Sequence, residues 1–556
     1  MVGQDPGPVG PLGIDHQWGT VKKLLVLVSI AAIFLSGCAS TSNANWMDKY
    51  INQKVTWGDC KQKLFTEADY LDAGFKTDDV VCAEIIVPIS YEQDLNSQDL
   101  TLTLMKDPAS GSASEKVGTM FSNPGGPGQS GIDYIQTVAF PQEVRDAFDV
   151  IGFDPRGVGA SSPVRCDDDL DLRSYFEYHF DYENQAQADE DRMAMDEYYQ
   201  VCIDNNPTWW AMTTANVVQD LELMRKIITP KEDLNFVGHS YGTTIAAVYI
   251  STFPKQAGRM VLDSPVASST DEIEDQVKQT KAFAKARTKL FDRCASDPKC
   301  PGETRSEVEQ ILLDLRDAAL SGNASGYVAT LKPAEFFKRG NGLSPYLILH
   351  GLDLLGYYPT DEVYSVFRTA MKQANNLDMS YFEFWGLMMD GYDGNTLERD
   401  NSYDILTLVN CLDVDGRDTK TKAERDSDKA KLEAADPFAT KFYKLYDFEP
   451  SDEAEPGCYW SWRAYEDDKI PDPPKKPAPY TNTSGSEFLV IGSRGDTATP
   501  FEWSEGVAAD LKSPLVVYEG SGHAQLFGGV KCLDDLAVDY LINGTVPPAG
   551  TTCAAE

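Results

Sequence analysis

Basic residues are in short supply. The 49 lysines and arginines face 87 aspartates and glutamates, for a formal net charge of −38. A surface that acidic repels phosphate backbones and argues against nucleic acid as a partner. Histidine is scarcer still, with five residues: His16, His179, His239, His350 and His523. No CxxC pair occurs, so a zinc centre lacks both its thiolate spacing and a supply of imidazoles. No metal and no organic cofactor is expected. Long apolar runs are missing too. Only Leu24 to Leu35 approaches a membrane span, and it falls short of the roughly 20 residues required. A polytopic membrane protein is therefore excluded. Disorder is excluded from the other side, because aromatics make up 11% and hydrophobic residues 42% of the 556 positions. That length allows roughly two to four domains of ~150 residues, or one large domain with a long insertion.

Cysteine is present, in an odd number, eleven. Ten can pair, and one needs its own account. Lys22 and Lys23 precede the apolar run, which closes on Leu35-Ser36-Gly37-Cys38. A basic flank, a short apolar stretch and small residues at a cut site make an export signal. Leu-Ser-Gly-Cys resembles the lipobox of bacterial lipoproteins, which implies lipidation of Cys38 as the first mature residue. Residues 1–37 then form a leader, and 38–56, polar and small, a tether. Residues 1–20 look unlike a signal and read as a tag or as sequence upstream of a start at Val21. The expected location is the outer face of a bacterial cell membrane, through a lipid on Cys38. The other ten cysteines would meet an oxidising compartment and pair there. Composition leaves their connectivity open.

The mature chain divides by pattern. Ala83 to Pro88 and Leu100 to Leu104 read as two strands joined by a turn. Val117 to Phe121 and Phe148 to Phe153 read as two more. Thr213 to Ile228 is apolar at helical spacing, with Thr214 as its N-cap. Leu234 to Val237, Thr243 to Phe253 and Arg259 to Leu262 read as strand, helix, strand. Alternation of this kind predicts a mostly parallel sheet with helices on both faces, an α/β fold. The rhythm breaks from 266 to 484, which is mainly helical and contains the extended Pro471–Pro477 stretch. It returns with strands at Glu487 to Ile491 and Leu515 to Tyr518 and helices near Trp503 to Leu511 and Cys532 to Ile542. The expected organisation is a split core, 57–265 and 485–553, with 266–484 inserted as a helical cap.

The strongest motif is Gly238-His239-Ser240-Tyr241-Gly242. It follows a short apolar strand and opens a helix, the context of a nucleophile elbow. The turn is tight, which asks for glycine on both sides. Serine needs a base and an orienting acid to act as a nucleophile. His523 lies in a Gly-rich loop after the last strand, whereas His350 lies inside the insertion and reads as a packing residue. Asp496, in Ser493-Arg494-Gly495-Asp496-Thr497, follows the preceding strand and supplies the acid; Asp413 is a rival within the insertion. The oxyanion calls for two N–H donors. Tyr241, next after the nucleophile, offers one. Gly126 in Asn123-Pro124-Gly125-Gly126-Pro127-Gly128 offers the other, with Gly125 as alternative. In Asp154 to Ser161, Asp154 and Arg156 are expected to form a structural ion pair.

These motifs together resemble the tripeptidyl aminopeptidase branch of the α/β-hydrolases, related to proline iminopeptidases. The carriers are Asn123–Gly128, Gly152-Phe153-Asp154-Pro155-Arg156-Gly157-Val158-Gly159 and Gly238–Gly242. Trp57-Gly58-Asp59-Cys60, Val87-Pro88-Ile89-Ser90-Tyr91, Gly495-Asp496-Thr497 and Gly522-His523 add to them. Asn123 stands where proline iminopeptidases carry His. The resemblance implies an α/β-hydrolase fold and a TAP-like C-terminal part. It implies a secreted serine exopeptidase that releases short peptides, tripeptides foremost, from free N-termini. It also implies the pairs Cys60–Cys82, Cys166–Cys202, Cys294–Cys300, Cys411–Cys458 and Cys532–Cys553.

The expected chemistry is acyl transfer by Ser240, with His523 as base, Asp496 orienting it, and Tyr241 and Gly126 N–H groups holding the oxyanion. A substrate ammonium requires a carboxylate at the closed end of a cleft. The insertion offers Asp353, Asp390, Asp393, Glu398 and Asp413, of which Asp413, beside Cys411, is the first choice. Tyr357, Tyr358, Phe382, Phe384 and Trp385 are candidates for side-chain pockets or for packing. Three other readings fit parts of the pattern: a proline iminopeptidase, a carboxylesterase or lipase with the same triad, and a lipoprotein that binds peptides without cutting them. Oligomeric state and side-chain preference are not written in these motifs.

Overall fold

The computed structural model describes residues 45–60, 80–92, 95–166, 172, 185–268, 272–332, 336, 342–393, 397–413, 421–443 and 477–555. The expected leader, Cys38, Cys458 and nearly all of the Pro471–Pro477 stretch lie outside them. Nine strands form one sheet: β1 (Val81–Pro88), β2 (Asp99–Asp107), β3 (Gly118–Asn123), β4 (Phe148–Phe153), β5 (Leu234–His239), β6 (Ala257–Asp263), β7 (Leu489–Gly495), β8 (Leu515–Ser521) and β9 (Thr552–Cys553). Their spatial order is β1-β2-β4-β3-β5-β6-β7-β8-β9. β1 and β2 form an antiparallel hairpin, in register from Val81 opposite Lys106 to Pro88 opposite Asp99. β2 also runs antiparallel to β4. From β4 onward every neighbouring pair is parallel, and the longer crossovers carry helices, as parallel pairing requires.

The parallel strands are buried on both faces, and successive residues serve opposite cores. Phe121, Ile151 and Phe236 pack on one side with the helices Thr214–Ile228 and Tyr241–Thr252. Met120, Val150 and Val237 pack on the other with the helices Gly131–Thr137 and Lys531–Asn543. The Thr214–Ile228 helix starts one residue earlier in the sequence logic than expected. Its N-cap is Thr213, whose hydroxyl accepts from Asn216 N–H at 3.2 Å, and Thr214 is the first helical residue.

Between β6 and β7 the chain forms helices with a core of their own, built on Phe291, Leu312, Leu352, Phe367, Phe382 and Phe438. Not all of this insertion stands apart. Ile405, Leu408, Val409 and Leu412 of the Ser402–Asp413 helix pack into the catalytic core beside Met212 and Tyr241. Asn401 fastens the start of that helix, donating to Gly157 O and Val164 O at 2.7 Å and accepting from Gly159 N–H at 3.0 Å.

Disulfides join Cys60 to Cys82, Cys166 to Cys202, Cys294 to Cys300 and Cys532 to Cys553. Cys411 is also disulfide-bonded; its expected partner, Cys458, lies outside the described residues. Bridges of this number fit an exported protein. Among the described residues, no helix is long and apolar enough to cross a membrane.

The expected Asp154–Arg156 pair is not formed. Arg156 is fully buried and makes a two-pronged pair with Asp220, Nε to Oδ2 at 2.7 Å and Nη2 to Oδ1 at 2.6 Å. It also donates to the carbonyls of Pro88, Ile89 and Ala211. Asp154 turns instead to Ser130 Oγ at 2.6 Å and Ala160 N–H at 2.9 Å. A buried guanidinium needs a carboxylate with matching fork geometry, and Asp220 on the neighbouring helix provides it.

Candidate active site

Parallel strands end together, and here the C-terminal ends of β3, β5, β6, β7 and β8 release the loops that carry the expected site. Asn123 pairs with Gly238, and His239 with Asp263, so three strand ends lie side by side. Ser240 leaves β5 with φ 52° and ψ −124°. That is a strained backbone for a residue with a side chain, the signature of the elbow. Ser240 is only partly buried, whereas its neighbours on both sides are buried.

The Gly-rich loop after β3 lies directly on the elbow. A Cβ on Gly125 would come within 2.7 Å of His239 O, 2.9 Å of Ser240 Cβ and 3.0 Å of Tyr241 N. A Cβ on Gly242 would meet Asn123 O at 2.4 Å. Both glycines are therefore required by close approach of two backbones. Asn123 Oδ1 accepts from Gly125 N–H at 3.0 Å. That bond occupies the Gly125 donor and leaves Gly126 as the donor the loop can offer. Tyr241 opens the helix on the other side of Ser240, with its phenol 2.5 Å from Thr214 Oγ1.

His523 and Asp496 meet. His523 Nδ1 lies 3.0 Å from Asp496 Oδ1 and 3.1 Å from Oδ2, and both residues are buried. Asp496 is fixed by Ala498 N–H, Thr499 N–H and Thr499 Oγ1–H, at 3.0, 2.9 and 3.0 Å. With Asp496 accepting, Nδ1 carries the proton and Nε2 is left with its lone pair. Burial presses His523 toward its neutral form. The adjacent Asp496 carboxylate, with a smaller contribution from Asp263, outweighs that and raises its pKa above the usual 6.5.

The cap reaches this site. Tyr357 and His523 pack with their rings perpendicular, centroids 5.6 Å apart, and the Tyr357 carbonyl accepts from His523 N–H at 3.3 Å. Gln279 donates to Ala498 O at 2.6 Å and Lys289 to Ser521 Oγ at 3.2 Å. The acid and base loops thus both lie under the long helix Glu272–Ser296 and the C-terminal end of the helix Pro345–Tyr357. Tyr358 is half exposed beside them, while Phe382 belongs to the cap's interior.

Asp413 does not serve as an open receptor for an ammonium group. It is buried, and both carboxylate oxygens are taken by Thr214: N–H to Oδ1 at 3.0 Å, and Oγ1 to Oδ2. Thr214 opens a helix whose first N–H groups lack intrahelical partners, so Asp413 caps that terminus. Two other carboxylates of the insertion are also engaged, Asp353 with Arg287 and Asp390 with His350 Nδ1 at 3.2 Å. His350 packs against Tyr346, with ring centroids 3.9 Å apart. Asp263 was not anticipated. The available signal is a charged residue closing an otherwise apolar strand, Met260-Val261-Leu262-Asp263.

Residues 119–316 match the alpha/beta hydrolase fold family, and residues 455–553 match the TAP-like protein family. The chain is 27% identical to serine protease Hip1 of Mycobacterium tuberculosis, over 96% of this chain and 98% of that one. It is 28% identical to the tripeptidyl aminopeptidase of Streptomyces lividans, over 85% and 84%. It is 26% identical to carboxylesterase B of Mycobacterium tuberculosis, over 90% of each. Sheet order, elbow and motif together define a serine hydrolase. The chain has the α/β-hydrolase fold and carries a TAP-like C-terminal part.

Proposed function

We propose that this protein is an exported, lipid-anchored serine aminopeptidase that releases short peptides, tripeptides foremost, from free N-termini. The observation that carries the reading is the strained Ser240 elbow set among the same strand ends as the His523–Asp496 pair. Relatives matched over most of their length, a serine protease and a tripeptidyl aminopeptidase, support the substrate class. The Leu35–Cys38 motif supports the anchor on Cys38.

Ser240 Oγ attacks the scissile carbonyl as His523 takes its proton. Asp496 holds the ring and stabilises its charged form. Tyr241 and Gly126 N–H groups receive the oxyanion, which a low-dielectric site makes more valuable than water would. His523 then protonates the leaving amine, and water releases the peptide from Ser240.

Product analysis by mass spectrometry on a peptide library with free and acetylated N-termini tests this. Free peptides should lose N-terminal fragments of fixed length, and acetylated ones should stay intact. Equal cleavage of both would remove the aminopeptidase reading. The same triad also suits an ester substrate, and a carboxylesterase relative supports that second reading. Turnover of p-nitrophenyl esters without any cleavage of peptidyl anilides would favour it.

A further inference from the structure

Two consecutive residues at the end of β6 touch both halves of the catalytic machinery. Asp263 O accepts from Ser240 N–H at 3.0 Å, which holds the nucleophile's own backbone. Asp263 Oδ2 accepts from Leu526 N–H at 3.0 Å, three residues beyond the catalytic histidine. Ser264, at φ +56°, donates its N–H to Ile491 O on β7, and its Oγ accepts from Ala524 N–H at 2.9 Å. The elbow and the base loop are therefore tied to one dipeptide.

The side chain of Asp263 does more than accept hydrogen bonds. It is completely buried, and Oδ2 also receives His239 Nδ1–H at 3.0 Å, while His239 Nε2 lies 2.6 Å from Tyr134 OH. With Nδ1–H donating and Nε2 accepting, both ring nitrogens of His239 are satisfied. Asp263 Oδ1, by contrast, has no hydrogen-bond partner among the described residues. An asparagine with its amide oxygen at the Oδ2 position would accept the same two bonds. A one-sided buried carboxylate is costly to keep. What the amide cannot supply is a negative charge close to His523.

We propose that Asp263 is a positioning residue for the reaction. Asp263 and Ser264 set the nucleophile against the base, and the Asp263 carboxylate is an outer negative charge that favours the His523 imidazolium formed as Ser240 gives up its proton. This rests on the serine-hydrolase reading of Ser240. The charged and titratable groups that face His523 are Asp496 from the β7 loop, Asp263 from β6, and Tyr357 from the cap. His239 stands behind Asp263, Tyr358 lies beside Asp496, and Lys289 reaches the end of β8.

The test is the rate at which a fluorophosphonate labels Ser240 across pH 5–9, measured on the full chain. It needs no knowledge of the natural substrate. In Asp263→Asn the apparent pKa governing labelling should fall by about half a unit to one unit, and the limiting rate by about tenfold. In Ser264→Ala the limiting rate should fall by about threefold to tenfold with the apparent pKa unmoved. An Asp263→Asn profile that superimposes on the parent overturns the proposal. If Asp263→Asn does not fold, as judged by circular dichroism, an unchanged labelling rate in Ser264→Ala overturns it instead. Ser240→Ala is the separate control: labelling or turnover that survives there defeats the serine-hydrolase reading itself, whatever Asp263 does.

Discussion

His523 is pulled two ways, and the outcome sets how the enzyme should respond to pH. Burial opposes its charge, and the Asp496 carboxylate prevails, so its pKa is raised. The base must be neutral to accept the Ser240 proton, so kcat/KM should climb as pH passes that raised value. Asp496→Asn removes the main cause of the shift. Its acid limb should move to lower pH, and kcat should drop by about 10³–10⁴-fold, because the ring loses its orienting partner. A pH–rate profile on a peptidyl anilide reads both effects. A second residue-scale prediction concerns Glu383 in the cap. Burial pushes its carboxyl up to about 8, against stabilising N–H groups from Tyr327 and Val328. The folded state therefore holds a proton that the unfolded chain releases above about 4.5. The stability tied to that proton is complete below pH 4.5 and is lost as pH rises toward 8. Glu383→Gln should leave Tm unchanged near pH 4 and raise it by a few degrees at pH 8, as scanning calorimetry would record. At this scale the elbow at Ser240 and the meeting of His523 with Asp496 were readable, because all three residues sit on loops after recognisable strands. The partners of Arg156 and Asp413 were not. Asp220 lies 64 positions from Arg156 and Thr214 lies 199 from Asp413, and only the packed fold brings them together.

Elements were legible where a period was strong. The apolar runs of β3 to β8 are short and buried, and they stand out against the 3.6-residue pattern of the helices between them. The two-residue β9 and the acidic helix Gln185–Asn205 carry too little periodicity to be singled out. The N-cap at Thr213 rather than Thr214 reflects two adjacent threonines, either of which could cap by composition. The elbow is the element on which most depends. Gly125 stacks on it so closely that a methyl group would press on Ser240 Cβ and Tyr241 N. Gly125 also takes φ +110°, where an L side chain is strained. Gly125→Ala should therefore displace the oxyanion loop. We expect a fall in kcat of about 10²-fold or more with little change in the circular dichroism spectrum. A fall of less than threefold would mean the loop has room that its contacts do not suggest.

For the molecule as a whole, the sequence pattern marks a helical insertion before the last strands, but not the way it interlocks with the core. The Ser402–Asp413 helix arrives from the insertion and completes the core beside Tyr241. Amphipathic pattern marks one of its faces as buried without saying against which body. The Arg156–Asp220 pair works on a similar span, joining the end of β1, the loop after β4 and the Thr214–Ile228 helix. Arg156→Met should cost about 3–5 kcal/mol in urea unfolding, because Asp220 would be left buried and unpaired. Replacing both residues with apolar ones should recover part of that loss.

The tie between Ser264 and Ala524 spans 260 positions of chain. A ribosome making this protein finishes the nucleophile long before it makes the base. Every intermediate ending within the cap holds Ser240 without the His523 and Asp496 assigned to it above. A chain that stops within the cap should therefore fail to turn over substrate, and activity should wait until β7 and β8 dock beside β1 to β6.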